Sequence, residues 1–286
     1  MMQAAQRLPL DGRAPYLADH QPGGVPLLPT ALCLEALAAA CARLRPGMAL
    51  EARDIRVAEP CLVPVGGRHE VQALLEAPAG DDGAVDATLF STSGDGACRT
   101  HMQARFRPQA QRPASDLLQE AIDLQTPVPG ATVYRQFFHG PAWQVVANAG
   151  WNGGRLVARL ATGLPPLRHP GPRPGVLPPR LVELALQSAG LLEIACSGRS
   201  MIPHAIDSVR RFLPLDEHSG EPLLAIARRA GSGGAGESGA IDIDVCTTDG
   251  RAVLGVRGYH TLPLPFASDP HSLARLAAAL RAPGGH

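Results

Sequence analysis

The sequence predicts an α+β protein in which antiparallel sheet curls around buried helices, and three observations predict it. Two Ala/Leu-rich segments, residues 30–43 and 180–196, are apolar on nearly every side, so most of their surface must be buried. Each is followed by short strand-like runs between turn residues, the pattern of sheet packed on helix. The two helical segments also resemble each other: "LPTALCLEALAAA" from Leu28 and "LPPRLVELALQSA" from Leu177 align with a one-residue shift that brings Glu35 opposite Glu183. Two copies of a strand-wrapped helix are therefore expected.

Taken in order, Thr30 is placed to N-cap the first helix and Pro46-Gly47 to stop it. The runs "ARDIRVAEP", "HEVQALLEA", "AVDATLFSTS" and "ACRTHMQARFRP" then read as strands, punctuated by "VGGR", "AGDDG" and "SGDG". Residues 109–127 are polar and Pro-containing with one short amphipathic piece, which suits a linker. Pro178-Pro179 lead in the second helix, which ends near Gly198. Four more runs follow: "HAIDSVRRFLPL", "PLLAIARRA", "AIDIDVCTTDG" and "AVLGVRGYHTLPL", with "GSGGAGESG" (231–239) as a hairpin tip. The expected units are 1–108, a linker 109–127, 128–265 and a C-terminal tail 266–286.

Composition narrows the function. The chain has 286 residues, 45% of them hydrophobic, and a formal charge of zero; this suffices for a sizeable core and argues against nucleic acid as a partner. No run of eighteen apolar residues suggests a membrane span, and the first thirty residues lack the basic-then-apolar order of a signal peptide, so a cytoplasmic location is expected. The six cysteines are dispersed, without C-x-x-C pairs or clustered histidines, and read as reduced, mostly buried thiols rather than a zinc site or disulfide framework. All 26 basic residues are arginine, which together with abundant Ala, Gly and Pro reads as codon bias. No G-x-G-x-x-G follows a strand, and there is no Walker or G-x-S-x-G motif, so nucleotide, flavin and serine-hydrolase chemistry have no support.

One stretch invites chemistry. In "HQPGGVPLLP", His20 is followed by Gly24 and Pro29 in an H-x3-G-x4-P spacing just before the first helix. Gly24 lets backbone N–H groups approach a ligand, Pro29 fixes the chain's path into the helix, and the helix N-terminus offers positive potential to a developing oxyanion. Such a loop suits proton abstraction beside a thioester carbonyl; equally, its His suits simple capping or packing.

This stretch, preceded by "YLAD", resembles the signature of the dehydratase domains of modular polyketide synthases and polyunsaturated-fatty-acid synthases. Three further segments match in order: "FFHGPAWQ" (Phe137 to Gln144) is similar to the family's G-Y-x-Y-G-P-x-F motif, "VELALQ" (Val182 to Gln187) to its D-x-x-x-Q/H helix, and "MIPHAI" (Met201 to Ile206) to the strand that follows. The resemblance implies a double hotdog, two antiparallel sheets each wrapped around a long helix. The helices also resemble those of single-hotdog 3-hydroxyacyl-carrier-protein dehydratases, where a dimer takes His from one copy and a carboxylate from the other. Here the first half would supply His20 and the second Glu183, with Gln187 one turn along the same face.

The implied reaction is loss of water from a 3-hydroxyacyl thioester to give a trans-2-enoyl thioester. In it His20 is the base, the Gly24 amide and a helix N-terminus stabilise the oxyanion, Glu183 is an acid kept protonated by apolar surroundings, and Gln187 orients the hydroxyl. Gly140, Pro141 and His139 would line the substrate site. Two departures stand out: Glu183 replaces the usual Asp, and His139 and Trp143 replace the motif's Tyr and Phe. No cofactor or metal is implied; the substrate would ride on the phosphopantetheine of an acyl carrier protein among other synthase domains, with Arg210-Arg211 or Arg228-Arg229 as candidate contacts and a homodimer as the expected assembly. Same-fold isomerases, pyran-forming or product-template cyclases, and a non-catalytic scaffold remain alternatives. His169 in "HPGPRPG" is a weaker candidate base, and Glu35 reads as a buried, locally paired residue.

Overall fold

The computed structural model describes residues 2–282 apart from 65, 67, 78–82, 95, 110–126, 168–175, 217, 232–238 and 265–268. Most of the expected linker, the hairpin tip and His169 lie outside the described residues.

In the first half, β1 (Met2–Asp11) and the short α1 (Pro15–Ala18) precede α2 (Thr30–Leu44), and β2 (Leu50–Val57), β3 (Arg68–Ala77), β4 (Val85–Thr92) and β5 (Cys98–Pro108) follow it. The second half opens with β6 (Val128–Pro129), α3 (Gly130–Val133), β7 (Val146–Asn152) and β8 (Arg155–Leu160). Next comes α4 (Pro179–Ser197), then β9 (Met201–Arg211), β10 (Leu223–Arg229), β11 (Ile241–Thr247), β12 (Ala252–Pro263) and α5 (Pro270–Arg281). Helix α2 packs inside β2–β5 and α4 inside β7–β12, which makes the architecture a double hotdog. The two sheets are continuous. Antiparallel pairing of β2 with β9, Ala52 opposite Val209 and Ile55 opposite Ile206, joins them in the order β1-β3-β4-β5-β2-β9-β12-β11-β10-β8-β7-β6.

Both long helices begin on proline. Pro29, not Thr30, is the N-cap of α2, and no side chain caps it; the Pro29 carbonyl instead accepts the N–H groups of Leu32 and Cys33. Pro178 and Pro179 start α4, and Gly198 ends it in the left-handed region at φ 68°, its N–H returning to Ile194. Both helices are buried along almost their whole length. The expected tail contains α5, whose Asp269 carboxylate accepts the N–H groups of His271 and Ser272 while Leu273, Leu276, Ala277 and Leu280 are buried; the helix packs on α4. Four of the six cysteines are buried, whereas Cys98 and Cys196 are exposed. Among the described residues no helix is long and apolar enough to cross a membrane.

Glu35 fastens the two halves. It is buried, and its pairing is not local: its carboxyl oxygens accept the N–H groups of Val176, at 2.9 Å, and Leu177, at 2.6 Å, just before α4. Glu35→Leu should leave both donors unpaired at about 1–3 kcal/mol each, read as a lowered urea midpoint. Burial pushes the Glu35 carboxyl up to about 7, against the pull of those two amides and of Arg211 and Arg43. The folded protein then keeps a proton that the unfolded chain has lost, so this contribution falls as pH rises from 4.5 towards 7. The stability of the wild type relative to Glu35→Gln should therefore be lower at about pH 8 than at about pH 5.

Candidate active site

His20 sits in a loop clasped at both ends. The Leu27 N–H donates to the His20 carbonyl at 3.0 Å, and His20 Nδ1 lies 2.9 Å from the Leu27 carbonyl. A carbonyl only accepts, so Nδ1 carries the proton and Nε2 is left with its lone pair, the form a base requires. The loop is docked on its far side by Leu28 N–H to Cys61 O and Val63 N–H to Pro26 O. Burial is the main cause that lowers the His20 pKa to about 4, with His139 adding to it; Glu183 and the bond to Leu27 oppose it. At neutral pH the ring is uncharged.

Gly24 does not act as expected. Its N–H is donated to Gln21 O at 3.0 Å, so it is already spent and is no oxyanion donor. What the position requires is its φ of +81°, which closes the turn that brings the chain back to Leu27. The free N–H groups at the start of α2, beyond Pro29, keep their place as the dipolar end nearest the loop.

The second half meets His20 through the Gly-Pro motif. His20 and His139 form an isolated antiparallel bridge, and Gly140 N–H donates to Asp19 O at 2.8 Å. The Asp19 side chain accepts Ala142 N–H at 2.7 Å, and Trp143 Nε1–H donates to Tyr16 O at 2.7 Å. A Cβ on Gly140 would lie 2.9 Å from Asp19 Cα and closer still to its carboxylate, so only glycine fits. Pro141 starts a short 3-10 turn that ends at Trp143. Asp19, Tyr16 and Trp143 thus set the site's geometry, although the sequence signalled Tyr16 and Asp19 only as neighbours of a motif and Trp143 only as a departure from one.

Glu183, from α4, is buried, and the donors around it form a directed chain. Val146 N–H donates to Tyr134 Oη at 2.7 Å, Tyr134 O–H donates to Gln187 Oε1 at 2.8 Å, and Gln187 Nε2 donates to Trp143 O and to Glu183 Oε1, each at 2.9 Å. His139 Nε2 lies 3.1 Å from the same Glu183 oxygen. Both Gln187 amide protons are used, so Gln187 holds Glu183 and is not placed to donate to a substrate hydroxyl. Glu183 is not kept protonated either: burial pushes its carboxyl up, but the His139 bond and charge, His20 and Gln187 together outweigh burial and hold it below the ordinary value. His139 is the link between the halves, its ring centroid 5.5 Å from that of His20 and stacked on Phe138 at 4.2 Å.

Two of the four arginines proposed as carrier contacts are held by buried acids. Arg228 pairs with Asp244 and Arg229 with Glu193, while Arg211 donates to the Leu213, Val176 and Leu215 carbonyls. Arg210 lies over the Phe212 ring. These pairs brace the second half.

The family model described as polyketide synthase dehydratase domain matches residues 5–92, and the one described as polyketide synthase dehydratase N-terminal domain matches 107–270. The polyketide synthase ThaG of Burkholderia thailandensis is 31% identical over 268 residues; the match covers 87% of this chain and 4% of that protein. A trans-AT polyketide synthase dehydratase domain from Brevibacillus brevis superposes with a TM-score of 0.75 at 18% identity, over 92% of this chain and 94% of that one. The dehydratase domain of PpsC from Mycobacterium tuberculosis gives 0.72 at 19%, over 92% and 93%. The CurK dehydratase of curacin polyketide synthase, at 0.70 and 17% over 92% of this chain and 94% and 93% of its two variants, has been solved as Asp-to-Asn and His-to-Phe variants, both described as inactive.

Two outcomes are expected of the site itself. Gly140→Ala should cost about 1–3 kcal/mol by overpacking against Asp19, seen as a lower thermal midpoint. An NMR titration should show the His20 ring uncharged at neutral pH, gaining its proton only near pH 4.

Proposed function

Because this chain belongs to the polyketide synthase dehydratase domain family, a family of dehydratases in polyketide synthesis, we propose that it removes water from a 3-hydroxyacyl thioester and leaves a trans-2-enoyl thioester. The observation that carries the reading is the meeting of a neutral, Nδ1-anchored histidine from one half with a buried carboxyl group from the other through a shared network. His20 Nε2 takes the α-proton, made acidic by the neighbouring thioester carbonyl. The positive end of α2 faces the charge that grows on that carbonyl oxygen. On the opposite side Glu183 and His139, held in place by Gln187, meet the departing β-hydroxyl. The longer Glu183 side chain in place of Asp is accommodated by Gln187 and His139. Inactivity of the CurK variants at a histidine and an aspartate supports a His/carboxyl pair of this kind.

The substrate arm is the phosphopantetheine of an acyl carrier protein in the same or a partner synthase, working with other synthase domains in a homodimer. No metal or other cofactor enters the reaction. An isomerase or cyclase would need the same base, so product analysis separates the readings. A panel of 3-hydroxyacyl carrier proteins should lose the mass of water with wild type, whereas His20→Ala and Glu183→Gln should each fall by roughly 10²–10⁴-fold. Rearranged or cyclised product without net water loss would replace dehydration by those chemistries, and no product from any substrate would leave a scaffold.

A further inference from the structure

The hydroxyl leaves as water only if something protonates it, and Glu183 is poorly prepared to do so. Its Oε1 receives an N–H from Gln187, and the Gln187 amide is fixed in that orientation because Tyr134 O–H occupies its oxygen. The His139 Nε2 at 3.1 Å approaches the same oxygen. Two donors converging on one oxygen suit an ionised carboxylate, and the same neighbours hold the carboxyl below its ordinary value.

His139 is prepared. Its Nε2 is committed to Glu183, while Nδ1, on the other edge of a ring whose side chain is only 8% exposed, has no hydrogen-bond partner among the described residues. A buried ring nitrogen without a partner is costly unless a ligand completes it. The ring meets that of His20 edge-on at a centroid separation of 5.5 Å, so base and acid stand side by side, where both can reach adjacent carbons of one substrate. The family motif has Tyr at this position, so the feature belongs to this chain.

Resting on the dehydratase reading, we propose that His139 is the catalytic acid, its Nδ1–H protonating the departing β-hydroxyl, and that Glu183 is the anion that holds and charges it. In the step, His20 Nε2 takes the α-proton, and the C–H electron pair becomes the second Cα–Cβ bond. The C–O bond breaks with its pair on oxygen, and the His139 proton completes water. His20 is left cationic and His139 neutral; transfer of one proton from His20 back to His139 through solvent restores the pair, so the net product is enoyl thioester and one water.

The test compares leaving groups that do and do not need an acid. Wild type, His139→Gln, His139→Phe, Glu183→Gln and His20→Ala are assayed on a 3-hydroxyacyl thioester and on its 3-fluoro analogue, in which fluoride departs without protonation. Both His139 variants should lose about 10²–10⁴-fold on the hydroxyl substrate while fluoride release stays within about tenfold of wild type; His20→Ala should lose both. The Phe variant, which keeps the ring stack, guards against a misfolded Gln variant. Equal losses on both substrates would make His139 structural, and retained hydroxyl elimination in the His139 variants with loss in Glu183→Gln would return the acid role to Glu183. Either result overturns the inference alone. A wild type inert on both substrates, or a His20→Ala variant as active as wild type, overturns the dehydratase reading and the inference with it.

Discussion

A carboxylate buried inside a wrapped sheet must be given partners, and the partners of Glu183 organise the rest of the molecule. Removing such a charge from water costs several kcal/mol unless donors replace the solvent. Here the donors arrive as a chain: Val146 N–H to Tyr134, Tyr134 to Gln187, Gln187 to Glu183, with His139 closing from the other side. None of these positions is independent. His139 is held by the bridge to His20, and the turn after it by Asp19 and Tyr16, all from the first half. One half therefore cannot build the site, and the pairing of β2 with β9 is what keeps the halves in register.

The repeated helices show what partners do to the same residue type. Glu35 and Glu183 occupy corresponding stretches of α2 and α4, and both are buried. Glu35 meets two backbone amides and distant arginines, which do not offset burial, and its carboxyl rises to about 7. Glu183 meets a histidine and a primary amide, which do offset it, and its carboxyl falls. One glutamate became a fastening between the halves and the other a pole of the site. His20, pushed the opposite way by burial to about 4, completes a site whose groups are separated in proton affinity by their surroundings.

What was legible in the sequence follows from how local each signal is. The two helices, the proline start of the second and the strands β2–β5 and β9–β12 come from composition and turn residues, which need no tertiary information. Strand β1 was missed because its Gln, Ala and Pro residues are poor strand formers, tolerated at a sheet edge where pairing is one-sided. Strand β7 hides behind Ala, Asn and Gly and β8 is only six residues long, although Asn152-Gly153-Gly154, with φ of 55° and 81° at the glycines, is a hairpin signal that was there to be read. The motifs located His20, Glu183, Gln187 and His139. Their roles were harder to read, because whether Gly24 N–H is free, or which atoms of Gln187 remain available, depends on partners such as Gln21, Trp143 and Tyr134 that spacing alone does not reveal.

The central claim is that His20 and Glu183, from different halves, act in one elimination step. A double-mutant cycle on kcat/KM for water loss tests it most directly, using His20→Ala, Glu183→Gln and the double variant. Groups that act as one unit are strongly non-additive, so the double variant should be scarcely slower than the slower single variant. Losses that multiply, so that the double variant falls by the product of the two single effects, would contradict the claim.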